Sequence, residues 1–117
     1  GRGANFRSPK QGDSNMKSFR TYQLAKELFH ATQSLKVTGE VRDQLKRASL
    51  SIVLNLAEGS GKDGKDRVRF FKIAFGSLRE TQALLDILNE KALEAKADRL
   101  AAGLYNLIRN PGPGPAA

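Results

Sequence analysis

Glu58, Glu80 and Arg47 are the residues whose types could carry a reaction. They offer two carboxylates for proton transfer and a guanidinium to hold an anion. Arg47, Ser51, Asn55 and Glu58 are spaced by four, four and three, so on a helix they stack along one side. Gly76, Ser77 and Glu80 are expected to face them from a later segment. Bundle enzymes that work through two metals use Glu-x-x-His motifs. The single histidine here, His30, falls on the polar side of its own segment, where solvation is its expected role. No catalytic residue, metal site or cofactor is therefore assigned. Arg47, Ser51, Asn55, Glu58, Ser77 and Glu80 are read instead as a structural polar network, since polar groups partly buried between helices must be hydrogen-bonded. The small residues Ala74, Gly76 and Ser77 would permit close helix approach. Gly76 requires such a reason, because glycine inside a helix costs about 1 kcal/mol against alanine.

The stretch NLAEGSGKDGK, residues 55–65, has the glycines and lysines of a phosphate cradle. A P-loop needs G-x-x-x-x-G-K-[ST] between a strand and a helix. Here Gly61-Lys62 is followed by Asp63, Leu56 stands where the first glycine belongs, and the preceding segment reads as helix. The stretch is predicted to be a helix stop at Gly59 followed by a turn. Lys62 and Lys65 keep a role only as point charges on a wider basic surface. That surface would comprise Lys46, Arg47, Lys62, Lys65, Arg69, Lys72 and Arg79, with Arg42 beside it and Asp43, Asp63 and Asp66 diluting it. It could hold the phosphate backbone of RNA or DNA, or be an ordinary solvated face. Without a recognition-helix or aromatic base-stacking signature, binding would be directed at the backbone.

The elements that must position these residues are helices. Leu, Ala, Lys, Glu and Arg dominate the middle of the chain, and alternating strand patterns are almost absent. Four segments are predicted, at about 18–36, 40–58, 65–89 and 90–109. The first places Leu24, Ala25, Leu28, Phe29, Ala31 and Leu35 on one broad side, and Gly39 is its expected stop. The second buries Leu45, Ala48, Ser49, Ile52 and Leu56, and the fourth Leu93, Ala97, Leu100, Leu104, Leu107 and Ile108. The third carries a regular stripe of Phe70, Ile73, Ala74, Ser77, Thr81, Leu84, Leu85 and Leu88. Phe71, Phe75 and Leu78 form a second strip beside it, which is either deeper core or a subunit contact. In a bundle this small the contact is the reading taken. Short connections favour antiparallel neighbours, hence an all-α, up-down antiparallel four-helix bundle.

Bulk numbers fit that reading. The 117 residues suit one domain, with 20 Lys plus Arg against 12 Asp plus Glu for a net charge of +8. The absence of cysteine removes disulfides, thiolate metal sites and cysteine nucleophiles, as suits a reducing cytoplasm. No apolar run approaches the ~20 residues that span a bilayer, so no membrane partner is expected. Residues 1–16 are expected to be a flexible basic arm, or an extension ahead of a natural start at Met16. The bundle domain is placed at 17–109, and the Gly/Pro-rich residues 110–117 are expected to be a disordered tail.

RASLSIVLNLAEGSGK, followed by RFFKIAFGSLRETQALLDI, resembles the four-helix bundle proteins encoded in 23S rRNA intervening sequences. Accessory proteins of diversity-generating retroelements look like the same family. The family pattern maps onto Arg47, Ala48, Ser51, Ile52, Asn55, Leu56, Ala57, Glu58, Gly59, Phe70, Ile73, Ala74, Gly76, Ser77 and Glu80, with Leu56 in place of the usual isoleucine. The likeness extends over residues 17–109 in layout, with its specific motifs in 47–88. It implies a four-helix bundle assembled as a ring, typically a homopentamer, without established enzyme activity. Its retroelement members look like basic barrels that bind nucleic acid and a reverse transcriptase. The expected partners are therefore a second copy of the chain, RNA or DNA, and a reverse transcriptase. A protein-interaction scaffold without nucleic-acid binding is the alternative.

Overall fold

A computed structural model describes residues 15–115. They form four helices: α1 (Met16–Gln33), α2 (Gly39–Ser60), α3 (Gly64–Ile87) and α4 (Lys91–Arg109). There is no strand among the described residues. The described part measures 44 × 27 × 23 Å. α2 packs on α1 and α3, and α4 packs on the same two helices, so each helix touches two others around one core. The arm expected over residues 1–16 lies outside the described residues except for Asn15 and Met16.

The chain's punctuation differs in places from its sequence reading. α1 ends at Gln33, and Gly39 opens α2 with a φ of 70° rather than stopping α1. α2 continues through Gly59 to Ser60, so Gly59 is not the stop. The helix closes by tightened bonds, Gly61 N donating to Glu58 O and Lys62 N to Gly59 O, each at 3.1 Å. The break between α3 and α4 falls where it was expected, at Asn89, whose φ of 61° ends the helical run.

Leu28, Leu45, Ile52, Leu56, Phe71, Leu78, Leu85, Leu100, Leu104 and Leu107 make up most of the core. Burying each such side chain stabilises the fold by about 1.5–3 kcal/mol before entropy is counted. The faces of α2 and α4 are those their periodicity predicts. The face of α3 is rotated. Its buried residues are Arg67, Phe71, Ala74, Leu78, Thr81 and Leu85, spaced four, three, four, three and four. Phe71 and Leu78 are 0% exposed and Phe75 packs half-buried against the core. Reading Phe71, Phe75 and Leu78 as an outer contact strip is therefore corrected: they are core of a single chain. Ile73, placed by the sequence on the core stripe, is instead 41% exposed. Arg67 starts this buried face although its charge marks it as a surface residue.

Candidate nucleic-acid interface

The first turns of α3 carry the basic cluster. Asp63 precedes the helix in extended conformation, and Gly64 follows with a φ of 55°. On the side opposite the core, Lys65, Arg69 and Lys72 are exposed. With Gly64, Val68, Ile73 and Pro111 they line an open groove of about 760 Å³ whose walls are mostly apolar. Asp66 Oδ1 accepts from Arg69 Nε at 3.3 Å and Nη2 at 3.2 Å. The same guanidinium lies 4.4 Å from the centroid of the Phe70 ring. Lys65 and Lys72 make no ion pair among the described residues.

The other cations of the expected surface are dispersed. Lys62 pairs with Glu58 at 3.6 Å, both at the surface. Arg79 stands over Phe75, 5.9 Å from its ring centroid, farther along α3. Lys46 and Arg47 are exposed in the first half of α2. At ~1.5 Å of rise per residue they lie some ~20 Å or more along that helix from Lys62. Lys65, Arg69 and Lys72 are thus brought together, and Lys46, Arg47, Lys62 and Arg79 stand apart from the groove.

The polar stripe is divided in the same way. Ser51 and Ser77 share a hydrogen bond of 2.7 Å across α2 and α3. Asn55 Nδ2 donates to Ser51 O at 2.9 Å and to Ser51 Oγ at 3.1 Å. These three residues form the core of the expected network. Arg47 and Glu80 are exposed and make no hydrogen bond or ion pair among the described residues, and Glu58 turns to Lys62. The two carboxylates share no site. Gly76 has nothing within 4 Å of the position a Cβ would take, so close helix packing is not its reason. Gly59 has that reason: a Cβ there would meet the Phe71 ring at 2.8 Å and Phe70 Cβ at 3.0 Å.

Arg67, which the sequence reading left out, is the most connected polar residue of this end. It is 0% exposed. Its Nη1 donates to the carbonyls of Ser60 (3.0 Å), Gly59 (3.3 Å) and Lys62 (3.3 Å). Nε donates to Pro111 O at 2.6 Å and Nη2 to Asn15 Oδ1 at 2.9 Å. The guanidinium also lies 5.1 Å from the Phe71 ring centroid. A cation over the carbonyls that end α2 satisfies orphan acceptors and matches the helix dipole. Burial lowers the pKa of Arg67 and nearby Asp63 opposes that shift. A guanidinium so displaced still carries its proton at neutral pH. Through Pro111 the same residue fixes the chain after α4. Gly114 is buried there, where a Cβ would come within 2.5 Å of Lys62 O. The tail expected to be disordered is thus held against the bundle at Pro111 and Gly114. The clue in the sequence is the regular spacing of Arg67 with Phe71, Ala74, Leu78, Thr81 and Leu85.

The family model of the 23S rRNA-intervening sequence protein matches residues 18–109, most of the 117-residue chain. The chain belongs to this family. Among curated proteins and solved structures, nothing matches it. The family match spans nearly all of the four helices of this 23S rRNA-intervening sequence protein. Asn15 and Pro111, which Arg67 binds, lie just outside the matched span at either end. No helix among the described residues is long and apolar enough to cross a membrane, and no cluster of three or more His, Asp or Glu there could hold a metal ion.

Proposed function

We propose that this protein is a non-enzymatic, oligomeric nucleic-acid-binding protein that contacts phosphate backbone through basic faces. The observation that carries this reading is the convergence of Lys65, Arg69 and Lys72 on one groove of a chain with net charge +8. Cations so placed displace condensed counterions from RNA or DNA, which supplies affinity with little regard to sequence. Repeating the groove around a homo-oligomer would raise avidity without new contacts. The chain's own topology, on this reading, is an up-down antiparallel bundle, with Ser51 beside Ser77 and Gln82 beside Asp98 as neighbours across consecutive helices. Leu54 and Ile87, exposed at 56% and 70%, are the apolar side chains that a second copy would cover in a ring, a pentamer by the resemblance to the family. A cytoplasmic location and an accessory role beside a reverse transcriptase complete the proposal.

The test is a binding titration of the full chain with RNA and DNA across salt concentration, with native mass measurement of the assembly. Affinity should be present at low salt and fall steeply as salt rises. Replacing Lys65, Arg69 and Lys72 with glutamate should abolish it while the helical signal is retained. Absence of binding at low salt, or affinity indifferent to salt, would sink the reading. The scaffold alternative draws on the apolar walls of the groove. It predicts a stable protein complex that survives the triple replacement.

A further inference from the structure

The groove on α3 has two chemistries, and a duplex needs only one of them. Lys65 and Lys72 are exposed cations without ion-pair partners among the described residues. Between them the surface is apolar: Val68 and Pro111 are half-buried, and Ile73 is exposed. A double helix presents phosphates outward and keeps its bases stacked inside, so it would engage the cations and leave the apolar surface unfilled. A single strand presents both. Its bases have apolar faces that gain by leaving water, and every base has such a face whatever the sequence. At about 760 Å³ the groove falls within the ~300–1,000 Å³ range of clefts that enclose small ligands.

Arg69 supplies the flat surface that the chain otherwise lacks here. Its guanidinium is held at its edge by Asp66 and lies over the Phe70 ring. The side chain remains 59% exposed. Guanidinium planes stack on nucleobases as aromatic rings do. Because Asp66 and Phe70 already order the group, little further freedom is lost when a base arrives.

We propose that this groove is a binding site for single-stranded RNA or DNA, with bases against Arg69, Ile73 and Val68 and flanking phosphates on Lys65 and Lys72. The proposal rests on the nucleic-acid reading above and adds the strandedness. It is tested by fluorescence anisotropy at low salt, comparing an oligothymidine strand, an oligouridine strand and a DNA duplex of equal phosphate count. The full chain should bind the single strands roughly 5-fold or more tightly than the duplex, the size of one stacked base. Arg69→Lys keeps the charge and removes the plane, and Ile73→Asn changes an exposed side chain. Ile73→Asn should erase most of that preference and leave duplex affinity unchanged, and Arg69→Lys should weaken single-strand binding by a larger factor than duplex binding, with circular dichroism confirming the fold. Equal affinity for strand and duplex, or variants that weaken both alike, would overturn the inference and leave the backbone-binding reading standing. Binding to neither nucleic acid would overturn the reading itself. Tight binding of an acidic amphipathic peptide in place of either would assign the groove to a protein partner and overturn the proposal.

Discussion

Arg67 and Arg69 stand two positions apart at the start of α3 and meet opposite surroundings. Arg67 is sealed inside the bundle and donates only to neutral oxygens, four of them main-chain carbonyls. Arg69 stands at the surface with a carboxylate beside it and an apolar groove in front. The first ties together the start of α1, the end of α2 and the chain beyond α4. The second has its guanidinium paired with Asp66 at one edge and its side chain still largely exposed to a ligand. Counting cations overstates the binding surface, because one arginine of this cluster is structural. The buried one lies on the core face of α3 with Phe71, Ala74 and Leu78, and Lys65, Arg69 and Lys72 lie on the outward side.

The largest expected effect comes from breaking the buried member. Arg67→Ala removes five donor contacts, strands the carbonyls of Ser60, Lys62 and Pro111, and opens a cavity beside Phe71. Stranded acceptors and a cavity together should destabilise the fold by about 3–5 kcal/mol, measured by denaturant unfolding. Arg69→Ala should change stability by no more than about 0.5 kcal/mol, as an exposed substitution with one surface ion pair does. If the two variants unfold alike, the division between latch and ligand site is wrong. Proteolysis at the C-terminus gives a second readout, since Arg67→Ala also frees Pro111 from its 2.6 Å bond.

The contrast between these arginines also explains how much of the molecule the sequence made legible. α2 and α4 present apolar residues at helical spacing with no charged member, and their buried faces follow directly. α3 has the same spacing, but its first buried position is an arginine. A hydrophobicity pattern discounts that position and shifts the face toward Phe70 and Ile73. Burial of Arg67 becomes intelligible only once the end of α2 and Pro111 are in place to receive its protons, and those are tertiary partners. Ser51, Asn55 and Ser77 were legible as a network because small polar groups at that spacing must find partners locally. Arg47 and Glu80 are long enough to reach water, so spacing alone could not enrol them. Lys65, Arg69 and Lys72 were legible as members of a wider basic surface. The groove was not, since Pro111 completes it from the far end of the chain.

Two glycines sharpen the same contrast between packed and open surfaces, the larger effect first. Gly59→Ala places a methyl group 2.8 Å from the Phe71 ring, beneath the latch. Overpacking there should cost about 1–3 kcal/mol, by the same unfolding measurement, despite alanine's better helix propensity. A neutral result would mean that α3 can move away from α2 at little cost. The close approach would then not be what holds Arg67 over the end of α2.

Gly76 is the reverse case. It is exposed in mid-helix, its φ is not left-handed, and nothing lies within 4 Å of where a Cβ would sit. Within one chain Gly76→Ala should therefore stabilise α3 by about 0.5–1 kcal/mol, through the lower backbone entropy of the unfolded alanine variant. The informative experiment measures stability and assembly mass together. A gain in stability with unchanged mass makes this surface as open in solution as it is in one chain. A lost or smaller assembly would mean that another copy approaches the backbone at Gly76, a reason for glycine that one chain does not contain. That outcome would place the outer face of α3 beyond Lys72 in a subunit contact and confine the open basic surface to the first turns of the helix.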